Sequence, residues 1–245
     1  MTSLARKLAA ACLGAGLLLG TNAWASDAYP SKPIKIVVGY SAGGAVDLIA
    51  RSVGQRLSAQ LGQPVVVENK PGAGTNIAVK SVTGSAPDGY TLMLAANALA
   101  VNPSLFKPAP YSLERDITPV SLVGRVPVVF ATREDGELKS LAQLVSAAKA
   151  KPNGISLGTP GNGSTPHLAM ELFTHTAGIQ LRHVPYKGGA QALTDTIGGH
   201  TEIVAVNALE AAPLAKAGKL RVLAVVCPER SSVLPGVPTV AQSGY

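Results

Sequence analysis

Cysteine, aromatic residues and charge are all scarce in this chain. Of its 245 residues only Cys12 and Cys227 carry a thiol, 4% are aromatic and 14% are charged. Cys12 lies in an N-terminal segment that reads as removable, so the remaining chain keeps one thiol and no internal disulfide is expected. A chain of this size can fold on its apolar core without one. Cys227 follows an apolar run with no histidine partner evident nearby, and reads as a strand-end thiol rather than a nucleophile. The shortage of aromatics argues against a base-stacking or sugar-stacking surface. Lysine and arginine outnumber aspartate and glutamate 21 to 14, but no Lys/Arg run is long enough to suggest nucleic acid. The apolar stretch Leu8 to Gly20 is too short for a confident membrane span, which takes roughly 20 residues.

That stretch has another reading. Arg6 and Lys7 precede it and Ala23-Trp24-Ala25 follows it, the layout of a secretory signal peptide cleaved after Ala25. Residues 1–25 are therefore expected to be removed and the product exported to the periplasm. Loss of Arg6 and Lys7 lowers the formal charge from +7 to +5. The remaining mild excess of positive charge helps attract acidic ligands.

Strands and helices then alternate. Strands are expected at Ile34–Val38, Val65–Glu68, Thr91–Ala95, Val126–Ala131, Ile155–Gly158, Leu181–Val184, Ile203–Val206 and Leu220–Val226. Most are continuous apolar runs, as in strands covered on both faces. Between them, Val46, Ile49, Ala50, Val53, Leu57 and Leu61 form a helical stripe closed by Gly62. Ser140 caps a second helix. Further helices are expected over 75–83, 166–177, 190–197 and 208–217. The pattern is α/β with largely parallel sheets. Sustained apolar content over 117–132, where helix signals fade, suits a strand crossing between two lobes. Leu220–Val226 suits the return.

Two glycine-rich turns stand out. The first, in Ile34–Arg51 (IKIVVGYSAGGAVDLIAR), joins a strand to a helix that carries Asp47 in its first turn. Such a turn aims backbone N–H groups at one point and favours anions. It also spells Gly39-Tyr40-Ser41-Ala42-Gly43, the G-x-S-x-G pattern of a serine-hydrolase elbow. An exported serine esterase using Ser41 is therefore the alternative function. Its setting is poor: the turn follows the first strand, so no earlier strand supplies oxyanion donors. His167, His175, His183 and His200 have no recognisable setting as bases either. The second turn, Gly158 to His167 (GTPGNGSTPH), also joins a strand to a helix, with Ser164 or Thr165 as cap and Pro166 at the first position. Two such turns, one per half, point to a cleft with converging helix N-termini. Pro71 to Ile77 gives G-x-G but lacks the last glycine of a dinucleotide fingerprint, and there is no phosphate-loop motif. No cofactor and no metal are expected.

Taken in order, several segments resemble the solute receptors of tripartite tricarboxylate transporters, the Bug or TctC-like family. They are Tyr29-Pro30; Ala42-Gly43-Gly44 with Asp47; Gly62 to Gly74 (GQPVVVENKPGAG); Ala86 to Leu92 (APDGYTL); Gly161-Asn162-Gly163-Ser164; Val184-Pro185-Tyr186-Lys187-Gly188; Ala217 to Arg221 (AGKLR); and Leu234-Pro235 with Val237 to Val240. They cover nearly the whole chain after residue 25. The resemblance implies a two-lobed periplasmic binding protein of type II fold without catalysis. It would be monomeric, close on a small carboxylate, and deliver it to membrane permease subunits. Lobe 1 would hold 26–127 and 228–245, and lobe 2 would hold 128–227. The carboxylate contacts implied are Ser41, Ala42, Gly43, Gly44 and Asp47 in one lobe, and Asn162, Gly163, Ser164 and Thr165 in the other. Asn97, Tyr186 and Lys187 are further candidates. Against that resemblance the chain stops early, after Tyr245. The first lobe is then expected to be incomplete, with an apolar patch or bare sheet edge and reduced stability, and a receptor that no longer binds is a further alternative.

Overall fold

The computed structural model describes residues 29–245; the signal-peptide reading of residues 1–25 lies outside them. The strands are β1 (Ile34–Val38), β2 (Val65–Asn69), β3 (Thr91–Leu94), β4 (Val128–Arg133), β5 (Ser156–Thr159), β6 (Arg182–Pro185), β7 (Ile203–Asn207) and β8 (Leu220–Val226). The helices are α1 (Ala45–Leu61), α2 (Asn76–Thr83), α3 (Ala98–Leu105), α4 (Leu113–Asp116), α5 (Leu141–Ala150), α6 (Thr165–Ala177), α7 (Gly189–Ile197) and α8 (Ala208–Lys216).

Two sheets result. The first is parallel throughout, in the order β2-β1-β3, with Ile36 opposite both Val67 and Leu92. The second has the order β6-β5-β7-β4-β8. The expectation of largely parallel sheets holds for every strand but one. β5 runs parallel to β6 and β7, but β4 is antiparallel to both β7 and β8. Strand direction is set by how the chain enters the sheet, not by the apolar content of the strand.

The second sheet explains its own sequence. Phe130, Leu157, Ile203 and Ala205 face one apolar cluster, with Leu144, Met170 and Phe173 from α5 and α6. Val129, Ala131, Val204 and Val206 face the opposite cluster, with Leu193 and Ala211 from α7 and α8. Both faces are covered, so β4 and β7 are continuous rather than alternating apolar runs. The first sheet has a smaller core, with Ile36, Val38, Tyr40 and Ala50 buried at its centre. Its flanking strands β2 and β3 contain no fully buried residue, and Val66 is 53% exposed.

Residues 117–127 link the two sheets without entering either, and Val120 and Leu122 there are 83% and 73% exposed. The segment after β8, assigned to lobe 1 by the sequence, makes its contacts on the second sheet. Val225 N–H donates to Pro238 O at 2.9 Å, Val240 N–H donates to Val225 O at 3.0 Å, and the Tyr245 ring meets Phe173 edge-on at 5.6 Å. Two helices were not read from sequence. α3 contains Pro103, which masks its periodicity, and α4 is a single turn.

Phe130 is fully buried between sheet and helices. Phe130→Ala is expected to cost about 3–5 kcal/mol, whereas Val66→Ala at the half-exposed β2 edge stays within about 0.5 kcal/mol. Denaturant midpoints of the two variants check this.

Candidate functional site

β1 delivers the chain into the turn 39–44, and α1 starts behind it. Gly44 occupies the N-cap position and has no side chain to cap the helix. The first turn is organised around Asp47 instead. Its Oδ2 accepts from Gly43 N–H at 2.9 Å and from Arg51 Nε at 3.0 Å. Its Oδ1 accepts from Asn69 Nδ2 at 2.9 Å and pairs with the second Arg51 nitrogen at 2.9 Å. Burial by itself would raise this carboxyl, but the bonds from Arg51, Gly43 and Asn69 outweigh it and hold Asp47 below the usual carboxylate range. Asp47 is thus an ionised anchor that shapes the turn and is saturated by protein donors.

β5 delivers the second turn. Ser164 Oγ accepts from His167 N–H at 3.3 Å, capping α6, and donates to Gly161 O at 2.7 Å. Gly163 N–H donates to His167 Nδ1 at 3.3 Å. His167 stacks on His183 with ring centroids 4.4 Å apart, and a His183 ring nitrogen lies 2.7 Å from Thr159 Oγ1. Burial, and then the charge of His167, push His183 down to about 4. Burial also lowers His167, against the pull of Glu171. Both rings are therefore neutral at pH 7, as the Gly163-to-Nδ1 bond requires.

The two turns meet across a cavity of about 260 Å³ between the sheets. From the first sheet it is lined by Gly39, Tyr40, Gly72–Thr75 and Phe106; from the second, by Pro160–Asn162 and Pro185–Lys187. No aspartate or glutamate is among these residues, and Lys187 brings a positive charge to the rim. The sides also touch directly. Ser41 N–H donates to Lys187 O at 2.9 Å, and the Ser41 hydroxyl is buried against Gly188 with no hydrogen-bond partner.

Of the residues expected to contact ligand, Asn162, Tyr186 and Lys187 line the cavity, with the Tyr186 hydroxyl donating to Asp195 at 2.7 Å. Ser41, Gly163 and Ser164 lie close to lining residues in the chain but are not on the lining; Gly163 N–H and the Ser164 hydroxyl are engaged within their turn, while the Ser41 hydroxyl has no partner. Ala42, Gly43, Gly44, Asp47 and Thr165 lie in the same turns but not on the lining, and Asn97 is exposed ahead of α3. Sequence reading missed the turn Gly72–Thr75 and Phe106. The turn carries a local signal, glycines between a strand and a helix, and its segment Gly62 to Gly74 is part of the family resemblance, but neither marks it as cavity wall.

Glu210 was missed as well. It sits at the third position of α8 and is 6% exposed. Oε1 accepts from Asn207 N–H at 3.2 Å in a capping box on its own helix. Oε2 accepts from Ala45 N–H at 3.0 Å, across the interface, at the start of α1. Both helix N-termini favour its anion. Burial opposes this more strongly and raises Glu210 to about 7.

Two α/β lobes that face each other across a cavity, each offering it a glycine-rich turn between strand and helix, define a two-lobed solute-binding protein. Comparison with known proteins specifies which kind. Residues 49–245 match the tripartite tricarboxylate transporter family receptor, TctC. Protein BugT of Bordetella pertussis is 39% identical over 222 residues, which are 90% of this chain and 68% of BugT. Among solved structures, Rpa4515 of R. palustris with adipate aligns at TM-score 0.85 and 34% identity, covering 88% of this chain and 73% of that one. MatC from Rhodopseudomonas palustris with bound malate aligns at 0.81 and 28%, covering 88% and 74%. The chain belongs to the TctC/Bug family of solute receptors, as its motifs led one to expect, and its fold is that of their periplasmic binding proteins.

The raised carboxyl of Glu210 gives a signed expectation. The fold favours the protonated form, so this contribution to stability is present in full below about pH 4.5 and lost as pH rises through about 7. Its upper bound is roughly 3 kcal/mol. Glu210→Gln keeps a neutral acceptor at the same place. Melting curves between pH 5 and 8 should show the variant losing less stability than the wild type.

Proposed function

We propose that this chain captures a small carboxylate in the interlobe cavity and presents it to the permease subunits of a tripartite-type membrane transporter. It does so in the periplasm, after export through residues 1–25, and as a monomer. The observation that carries the reading is the cavity itself. It is bounded by two glycine-rich turns, bears Lys187 at its rim and has no carboxylate on its walls. An anion there meets a positive rim and no carboxylate on the walls themselves. The adipate and malate held by the two solved relatives are carboxylates of a size such a cavity suits. Asn162, Tyr186 and Lys187 touch the ligand. Ser41, Ala42, Gly43, Gly44, Gly163, Ser164 and Thr165 hold the turns that present it, and Asp47 fixes the first of them.

The structure adds nothing in favour of an esterase. The Ser41 hydroxyl has no histidine on it, and the nearby Asp47 is fully engaged by Gly43, Arg51 and Asn69. Among the described residues no helix is long and apolar enough to cross a membrane.

A thermal-shift screen against mono-, di- and tricarboxylates tests the reading. A ligand at a hundred times its Kd should stabilise the native protein by about 2.7 kcal/mol. Asn162→Asp, which puts a negative charge on the cavity wall, should weaken binding of that ligand at least about tenfold near pH 7 while leaving the ligand-free melt unchanged. No shift with any carboxylate, or equal binding by the Asp variant, would count against the assignment.

A further inference from the structure

Glu210 bonds the lobes together without lining the ligand's cavity. It is absent from the residues around the space between the two glycine-rich turns. It lines a second cavity instead, of about 490 Å³, with walls from both lobes: Gly43 and Leu48 of the first, and Ala190, Leu193, Leu209 and Leu214 of the second. What Glu210 contributes to binding therefore passes through the contact it makes between α8 and α1.

Three helix starts converge on its carboxyl. Oε1 accepts from Asn207 N–H at the start of α8, and Oε2 accepts from Ala45 N–H at the start of α1. α7 begins at Gly189, where an added Cβ would lie 2.3 Å from Oε1, and one at Gly44 would lie 3.4 Å from Oε2. The residue is left 6% exposed. On the elements around it the charged groups are Asp47 and Arg51 of α1, which pair with each other, and Asp195 of α7, bonded to the Tyr186 hydroxyl. Lys187 stands ahead of α7, and Lys219, beyond α8, lines the same second cavity. Among the described residues none of these forms an ion pair with Glu210.

Two backbone donors do not make up for the water lost around a full charge, so burial wins and the carboxyl rises to about 7. With the lobes apart, the bond to Ala45 is gone and water returns. The cap on Asn207 stays, because it belongs to α8 itself, and a helix N-terminus favours the anion. The closed contact therefore prefers the acid, and the open arrangement prefers the carboxylate. A protonated carboxyl keeps lone pairs on both oxygens, so it still accepts from both N–H groups.

We propose that Glu210 is a positioning residue that couples ligand capture to proton uptake: closing the lobes takes one proton from solvent onto its carboxyl, and losing that proton loosens the contact. The coupling to a ligand rests on the carboxylate-receptor reading, whereas the coupling to closure does not. The sign follows from the two environments. Closure gains most below the ordinary carboxyl range, and the gain is lost as pH rises through about 7. Capture is thus tighter on the acid side of neutrality, although no group that lines the ligand's cavity changes its charge for that reason.

Calorimetric titration with malate and with adipate at pH 6 and pH 8 tests this. The wild type should bind about tenfold more tightly at pH 6, and runs in buffers of different ionisation enthalpy should count nearly one proton taken up per ligand there. Glu210→Gln keeps a neutral group able to close the capping box. Its affinity should change by less than about threefold between the two pH values, with no proton taken up. A glutamate kept only for the fold would give both proteins the same pH profile. Hydrogen exchange of the Ala45 amide, corrected for its intrinsic rate at each pH, supplies an arm without ligand. Its protection should fall about tenfold from pH 6 to pH 8 in the wild type and stay level in the glutamine variant. Equal binding profiles, or protection that ignores pH in the wild type, overturn the proposal and leave the receptor reading standing. Protection that responds to pH in a chain that binds no carboxylate upholds the role of Glu210 in closure and overturns the receptor reading.

Discussion

The start of helix α1 is satisfied from the opposite lobe. Gly44 offers that helix no capping side chain, so its orphan N–H groups look elsewhere. Gly43 N–H turns back to Asp47, and Ala45 N–H reaches Glu210 on α8. The carboxylate of Glu210 thus lies between two helix N-termini, closing the capping box of one and supplying the missing cap of the other. The close approach depends on glycine. A Cβ at Gly189 would lie 2.3 Å from Glu210 Oε1, and one at Gly188 would lie 2.1 Å from Ser41 Oγ. The contact places the two glycine-rich turns on either side of one cavity, so the candidate site exists in this form only while the contact holds.

The lobes bring unequal resources to this contact. The second has two apolar clusters, one on each face of a five-stranded sheet, and caps α6 and α8 from its own residues. The first has one small cluster beneath three strands and borrows a cap. Interface bonds are therefore a larger share of what holds the first lobe. A ligand that bridges the turns adds to the same set of bonds, and shifts the lobes towards contact by the difference in its affinity for the closed and open arrangements. Binding and the order of the first lobe are linked through one interface.

Most of the framework was legible because continuous apolar runs bounded by glycine and proline leave few alternatives to buried strands. β1 and β8 were read to the residue, and the caps at Ser140 and Ser164 follow from local chemistry alone. What escaped was information that no local pattern carries. The antiparallel course of β4 depends on the path through 117–127, and the docking of 228–245 on the second sheet depends on which face remains open. At the site, the glycine turns could be found because turn chemistry is local. Glu210 could be seen as half of a capping box, but not as a contact to the other lobe. The positive φ of Thr75 could not be seen either, because backbone angles belong only to the folded chain.

A glycine-rich turn at a helix N-terminus is often taken as an anion site on the strength of its amides. Here many of those amides are already committed. Ser41 N–H is held by Lys187 O, Gly43 N–H by Asp47, Ala45 N–H by Glu210, Gly161 N–H by Thr159 Oγ1 and Gly163 N–H by His167. Each bond fixes the shape of a turn and removes a donor from the ligand's reach. The turns therefore serve first as rigid walls. Recognition then passes to what the walls leave unspent: the field of the helix ends, the Lys187 charge at the rim, and the few side chains that face inward. Binding walls of this kind can stay constant in form while selectivity is set at one or two inward positions.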